Sequence, residues 1–227
     1  MTAGYTVPSP SSRTSYALPA YDRGMEQHIS SRMERAWTLA RDRFSGYELI
    51  RPGDPTFICQ AQDCPVQCCK VFSVTLTERE VERLSRFSGK QARDFLECED
   101  GEPIYLPLAD PYVLKRSDGG CSLLGEHHLC TEYEGRPDAC RLYPHHVVFV
   151  LEETGKPVSG NLDILRFAVR GHSETIVPLL LRHLECPGFT GPPIALHDWE
   201  ELFIETYRLQ YHDREPFEAL QPAPATG

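Results

Sequence analysis

The first apolar rhythm along the chain is helical. Ile29, Met33, Trp37, Ala40 and Phe44 recur every three or four residues. They predict one helix over about residues 25–44 with a single apolar stripe, Trp37 being its core anchor. Alternation takes over at residues 71–76, where Phe72, Val74 and Leu76 share a face, and predicts a strand. Thr77-Glu-Arg-Glu80 then has the form of a capping box, in which the hydroxyl and the carboxylate each take an orphan amide. It predicts a helix to about residue 87 that buries Val81, Leu84 and Phe87. A shorter helix with Ala92, Phe95 and Leu96 is expected next.

Short strands are expected at residues 104–106 and 112–115, with a turn at Ser117-Asp-Gly-Gly120. The apolar run at 147–151 predicts a buried strand, and residues 162–169 another. Residues 175–184 suit a helix if Pro178 falls in its first turn. Asp198 is expected to cap a last helix with Trp199, Leu202, Phe203, Thr206 and Leu209 inward. Short strands among several helices predict a small, loop-rich α+β domain. It should span residues 21–212, with the Ser/Thr/Pro/Ala-rich residues 1–20 and residues 213–227 as disordered tails.

Charge and composition narrow the partners. Across 227 residues, 33 acidic side chains against 23 basic ones leave a net charge of −10. That balance argues against a whole-domain grip on nucleic acid phosphates. The longest apolar runs, 147–151 and 176–181, are too short to span a bilayer, so no membrane partner is expected. The first residues lack the apolar stretch of a secretory signal, which predicts a cytoplasmic location.

In that reducing compartment the nine cysteines point to metal or redox chemistry rather than to disulfides. Eight of them fall in three places. Cys59, Cys64, Cys68 and Cys69 lie within eleven residues, Cys121, Cys130 and Cys140 are spaced nine and ten apart, and Cys186 opens Cys186-Pro-Gly188. Cys98 stands alone between acidic neighbours, where a thiolate is disfavoured. Closely spaced thiols fold inward onto one ion or cluster, and ligands from distant segments then close the site.

These eight are the candidate metal ligands. The spacing fits neither a zinc ribbon nor the ferredoxin run. Two Cys-Pro pairs and a surplus of thiols over one tetrahedral ion favour an iron–sulfur cluster, with zinc as the alternative. Arg136 and Arg141 flank Cys140 and are candidates to offset the negative charge of a thiolate-ligated centre. His127-His128 and His145-His146 are further sources of nitrogen ligands. No phosphate-binding, zinc-protease or nucleophile-elbow motif is present, and no catalytic residue is identified.

A resemblance becomes specific at this point. The chain runs from a cysteine group ending in Cys68-Cys69 through Leu76-Thr77-x-x-Glu80 and Gly119-x-Cys121-x-Leu-Leu. It continues with Arg136-Pro137-x-x-Cys140-Arg141-x-Tyr143-Pro144 and Cys186-Pro-Gly188. This order resembles the YkgJ-type cysteine-cluster family, described as zinc- or iron-chelating, over about residues 57–188. The family opens C-x2-C-x2-C-C, whereas this chain has C-x4-C-x3-C-C, a spacing similar to that of flagellin lysine-N-methylases. The resemblance implies a metal-binding protein, an electron-transfer or metal-dependent accessory module for a protein partner. The second resemblance implies an alternative, a cluster-dependent protein-modifying enzyme that uses S-adenosylmethionine.

Overall fold

The computed structural model describes residues 23–64, 68–117, 119–126, 128–160 and 162–212; the expected tails and His127 lie outside them. Helix α1 (Arg23–Ala40) carries the middle of the foreseen stripe, with Met33, Ala36, Trp37 and Ala40 buried; a 3₁₀ turn over Arg41–Arg43 ends it, so Phe44 falls beyond the helix, and the side chain of Ile29 lies outside the described ones. Strands β1 (Tyr47–Leu49) and β2 (Pro55–Phe57) follow. Next come a single helical turn, α2 (Cys68–Val71), and strand β3 (Thr75–Leu76). The strand expected over 71–76 is thus shortened. The Cys68 carbonyl accepts from the Phe72 amide at 2.9 Å, which coils the Cys-Cys segment instead of extending it.

Helices α3 (Glu78–Ser88) and α4 (Ala92–Phe95) stand where expected. Phe87 does not enter the core: it is 52% exposed and lies over Gly135, where a Cβ would come within 2.7 Å of it. Residues 104–106 form no strand. The pairing falls earlier, between β4 (Cys98–Glu99) and β5 (Glu102–Pro103). Strand β6 (Tyr112–Val113) pairs with β3, and β7 (Arg116–Ser117) and β8 (Gly120–Cys121) form a hairpin at the foreseen turn. These pieces enclose a small core of Leu76, Leu84, Phe95, Leu96, Leu114 and Leu123.

The larger core belongs to the other elements. The one-turn helix α5 (Asp138–Leu142) leads into β9 (His145–Leu151), helix α6 (Leu162–Val169), strand β10 (Ile176–His183), strand β11 (Phe189–Pro193) and helix α7 (Leu196–Tyr211). The main sheet is antiparallel in the order β1-β10-β9, with Leu49 opposite Leu181 and Phe149 opposite Pro178.

Two expectations are reversed here. Residues 162–169 are helical: Leu165 and Ala168, three apart, are buried, while Ile164 and Phe167 are exposed. Residues 176–183 are the central strand, with Val177, Leu179, Leu180 and Leu181 all buried. An uninterrupted apolar run suits a strand covered on both faces. Pro178 is tolerated because β1 pairs only Leu181–His183, so its missing N–H interrupts no second ladder.

Helix α7 buries Trp199, Phe203, Thr206 and Tyr207, and the Trp199 indole donates to the Ile50 carbonyl at 2.9 Å. Its N-cap is Ala195 rather than Asp198, whose carboxylate sits in the first turn, where the helix dipole favours it. No helix among the described residues is long and apolar enough to cross a membrane.

Candidate metal centre

All nine cysteines are free, and only Cys59 is exposed. Cys98 hangs from the β4–β5 hairpin with its thiol on the carbonyls of Leu96 and Arg93, apart from the other eight. Three constructions bring the others together.

The first is the β7–β8 hairpin docked on α2. The Arg116 guanidinium donates to the Phe72 carbonyl at 2.6 Å, to the Lys70 carbonyl and to Gly119 at 3.4 Å. These contacts satisfy carbonyls that the end of a one-turn helix leaves free. They hold Cys121 against Cys68-Cys69. From Cys121 the chain turns back on itself, with Leu124 bridging Cys130 and the Thr131 amide bonded to the Leu123 carbonyl at 2.9 Å. Leu123 anchors this turn in the small core, against which Cys121 and Cys130 pack.

The second construction positions Cys140. Glu80 is buried, and its Oε2 accepts from the Thr77 amide and hydroxyl, both at 2.8 Å, completing the capping box. Its other oxygen, Oε1, accepts from the Asp138 amide at 2.7 Å. One carboxylate therefore caps two helices, α3 and the turn that carries Cys140. Arg83 completes the joint, 2.7 Å from the Asp138 carboxylate and 3.0 Å from the Arg136 carbonyl. Pro137 is the N-cap of α5.

The third is the β2–β11 ribbon. Phe57 pairs with Phe189, and the Ile58 amide donates to the Gly188 carbonyl at 2.7 Å, so Cys59 and Cys186 emerge beside each other. Gly188 is required by space. A Cβ there would stand 2.6 Å from the Phe57 ring and 2.7 Å from the Ile58 carbonyl. Gly188→Ala must spread the ribbon and is expected to destabilise the fold by about 1–3 kcal/mol. It should also weaken metal retention, as read by urea unfolding and by chelator competition; an unchanged variant would show the ribbon to be slack.

The thiols act on one another electrically in two overlapping sets. Cys68 shares a hydrogen bond with Cys69 that pulls it down to about 6, helped by its own and the Cys69 amide and by the charge of Arg136. Cys69 is driven far up by the same bond, by burial, and by Cys68, Cys121 and Cys140. Burial pushes Cys140 up to about 12, with Cys121, Cys130 and Cys68 adding to it, and burial likewise raises Cys121 and Cys130. Cys186 belongs to the second set: burial raises it, and Cys64, Cys68 and Cys59 are its charged neighbours. Tyr143 stands beside this set, its phenol raised by burial and then by Cys186, Cys68 and Cys64. Cys68 is common to both sets.

Two features suit a negatively charged thiolate centre. Backbone amides two residues on are directed at three sulfurs: Leu123 at Cys121 (3.4 Å), Glu132 at Cys130 and Gly188 at Cys186. Such donors stabilise metal-bound thiolates. Arg136 stacks on Tyr133 at 3.8 Å, its Nε is buried without a hydrogen-bond partner, and its charge acts on Cys68, Cys130 and Cys140. Arg141 turns the other way, to Glu205 at 3.1 Å on α7. The second guanidinium beside the thiols is Arg116, next to Cys121. No sequence pattern singles it out, because its role depends on carbonyls some 45 residues away in the chain.

Of the candidate histidines among the described residues, His128 meets Lys70 and borders the same pocket as Cys121, His146 and Tyr47 are ring neighbours, and His145 packs with Phe57 and Phe189. Among the described residues no three His, Cys, Asp or Glu side chains already form a closed ligand set for a metal ion.

Fold and site together define a cysteine-rich α+β domain with its thiols gathered between a small core and a sheet-based one. Residues 58–162 match the model of the CxxCxxCC family, described as a "putative zinc- or iron-chelating domain". The comparisons with curated proteins and with solved structures find no match.

Proposed function

We propose that this chelating domain holds an iron–sulfur cluster and serves a protein partner in the cytoplasm as an electron-transfer or metal-dependent accessory module. The observation that carries the reading is the overlap of the two thiol sets. Eight sulfurs exceed what one tetrahedral zinc takes. Cys69, Cys121, Cys130 and Cys140 would supply four thiolates beside Arg136, while Cys59, Cys64 and Cys186 lie with Tyr143 across Cys68. When bound, such a cluster supplies one-electron chemistry. The chain's own part is to offset some of the cost of ionised sulfurs, through Arg116, Arg136 and the three amides, and to hold the thiol loops between the two cores. A second reading, a cluster-dependent protein-modifying enzyme using S-adenosylmethionine, is favoured by the second set. Three thiols there leave a coordination position for a reacting group.

Protein made without oxygen is expected to be brown, to contain iron and acid-labile sulfide, and to bleach in air. Cys140→Ser should lose the colour. A colourless anaerobic preparation with stoichiometric zinc and no sulfide would overturn the iron assignment. Saturable binding of S-adenosylmethionine to the brown protein would favour the second reading over the first.

A further inference from the structure

The β2–β11 ribbon covers a cleft of about 240 Å³, lined by Ile50, Pro55, Phe57, His145, Phe189 and Leu202 among others. An apolar cavity of about 150 Å³ is enough to hold benzene, so this space suits one ring with a small substituent. Its lining carries no charged side chain. Thr56 also borders it, its hydroxyl proton donated to the Pro192 carbonyl at 3.0 Å. His145 supplies the cleft's ring nitrogen, the stronger acceptor of the two polar side chains.

The imidazole is held rigidly. It meets the Phe57 and Phe189 rings edge-on, with centroids 5.9 and 5.7 Å away and interplanar angles of 87° and 88°. One ring nitrogen donates to the Leu142 carbonyl, and burial lowers the ring to about 4, so it is neutral at physiological pH. A neutral imidazole with one N–H engaged has a bare acceptor at the other nitrogen. Apolar walls with one fixed polar group are the usual form of a small-molecule site.

We infer that this cleft binds a small, neutral, one-ring molecule whose single hydroxyl donates to His145. A charged group would find no counter-charge in the lining, and the volume suits one ring. The inference is independent of which metal the thiols hold.

Phenol and toluene, titrated into the full chain, are the probes, because they differ only in the donor. A site built to receive a donor discriminates strongly against an analogue lacking it. Phenol should saturably shift the imidazole nitrogen resonances of His145 and bind at least tenfold more tightly than toluene. His145→Phe should erase that preference, and Leu202→Trp, which fills the cleft, should abolish binding of both. Equal affinities, no saturable shift, or undiminished phenol binding by Leu202→Trp would overturn the assignment. So would phenol binding that emerges only when residues 213–227 are removed, since the cleft would then belong to the chain's own end. If Leu202→Trp does not fold, the phenol–toluene comparison on the unaltered chain decides.

Discussion

Removing the metal is expected to speed amide exchange at least a hundredfold in residues 57–70 and 119–144, while β9 and β10 keep their protection. The asymmetry follows from the two cores. The small one is six buried side chains served by two-residue strands and short helices. Its periphery includes Cys121 and Cys130, whose thiols burial holds above the usual range. Ionising thiols there is unfavourable without a cation to receive them. The main core closes without the thiols: its sheet pairs seven residues of β9 with β10 and is covered by α1 and α7.

A binding site that the unfolded chain lacks turns binding energy into folding energy, and it does so locally where the ligands sit. Hydrogen exchange followed by mass spectrometry on the loaded and stripped protein measures the difference. Equal exchange of residues 119–144 in the two states would mean that the metal does not organise these loops.

Local chemistry was legible in the chain wherever its consequence was local. The α1 stripe, the Thr77–Glu80 box, the Ser117–Gly120 turn and the isolation of Cys98 could all be read within a dozen residues. The confusion of helix and strand at residues 162–169 and 176–183 has one cause. Both stretches are densely apolar, and periodicity separates the two states only when polar positions mark the exposed face. Leu165 and Ala168 declare a helix only once Ile164 and Phe167 are known to be exposed.

The centre was legible as a list of thiols but not as an arrangement. The sharing of Cys68 between two sets depends on contacts between segments 50 to 120 residues apart. The exchange of Arg141 for Arg116 does so as well. Arg141 was singled out by adjacency to Cys140, yet a one-turn helix points neighbouring side chains in different directions, and this one meets Glu205. Arg116 stands next to no cysteine in the chain and reaches the centre only because its hairpin folds onto α2.

Glu80→Ala is expected to be the most damaging single substitution outside the thiols, costing about 3–5 kcal/mol of stability, the range for breaking a buried charged network. The side chain is 3% exposed and both its oxygens are engaged: Thr77 on one, the Asp138 amide on the other, with Arg83 3.8 Å away. Its loss strands the Asp138 amide and removes one of the two carboxylates that face Arg83. It also frees the turn that carries Cys140, so metal affinity should fall together with stability.

Thr77→Ala is the control, because it removes only the hydroxyl side of the local cap and should cost about 1 kcal/mol. Glu80→Gln keeps one oxygen to accept but loses the charge facing Arg83, and should fall between the two. Urea unfolding of the three variants, paired with chelator competition, separates a local cap from a joint between two elements. If Glu80→Ala proved no worse than Thr77→Ala, the carboxylate would serve α3 alone. Cys140 would then owe its position to the chain around Pro137.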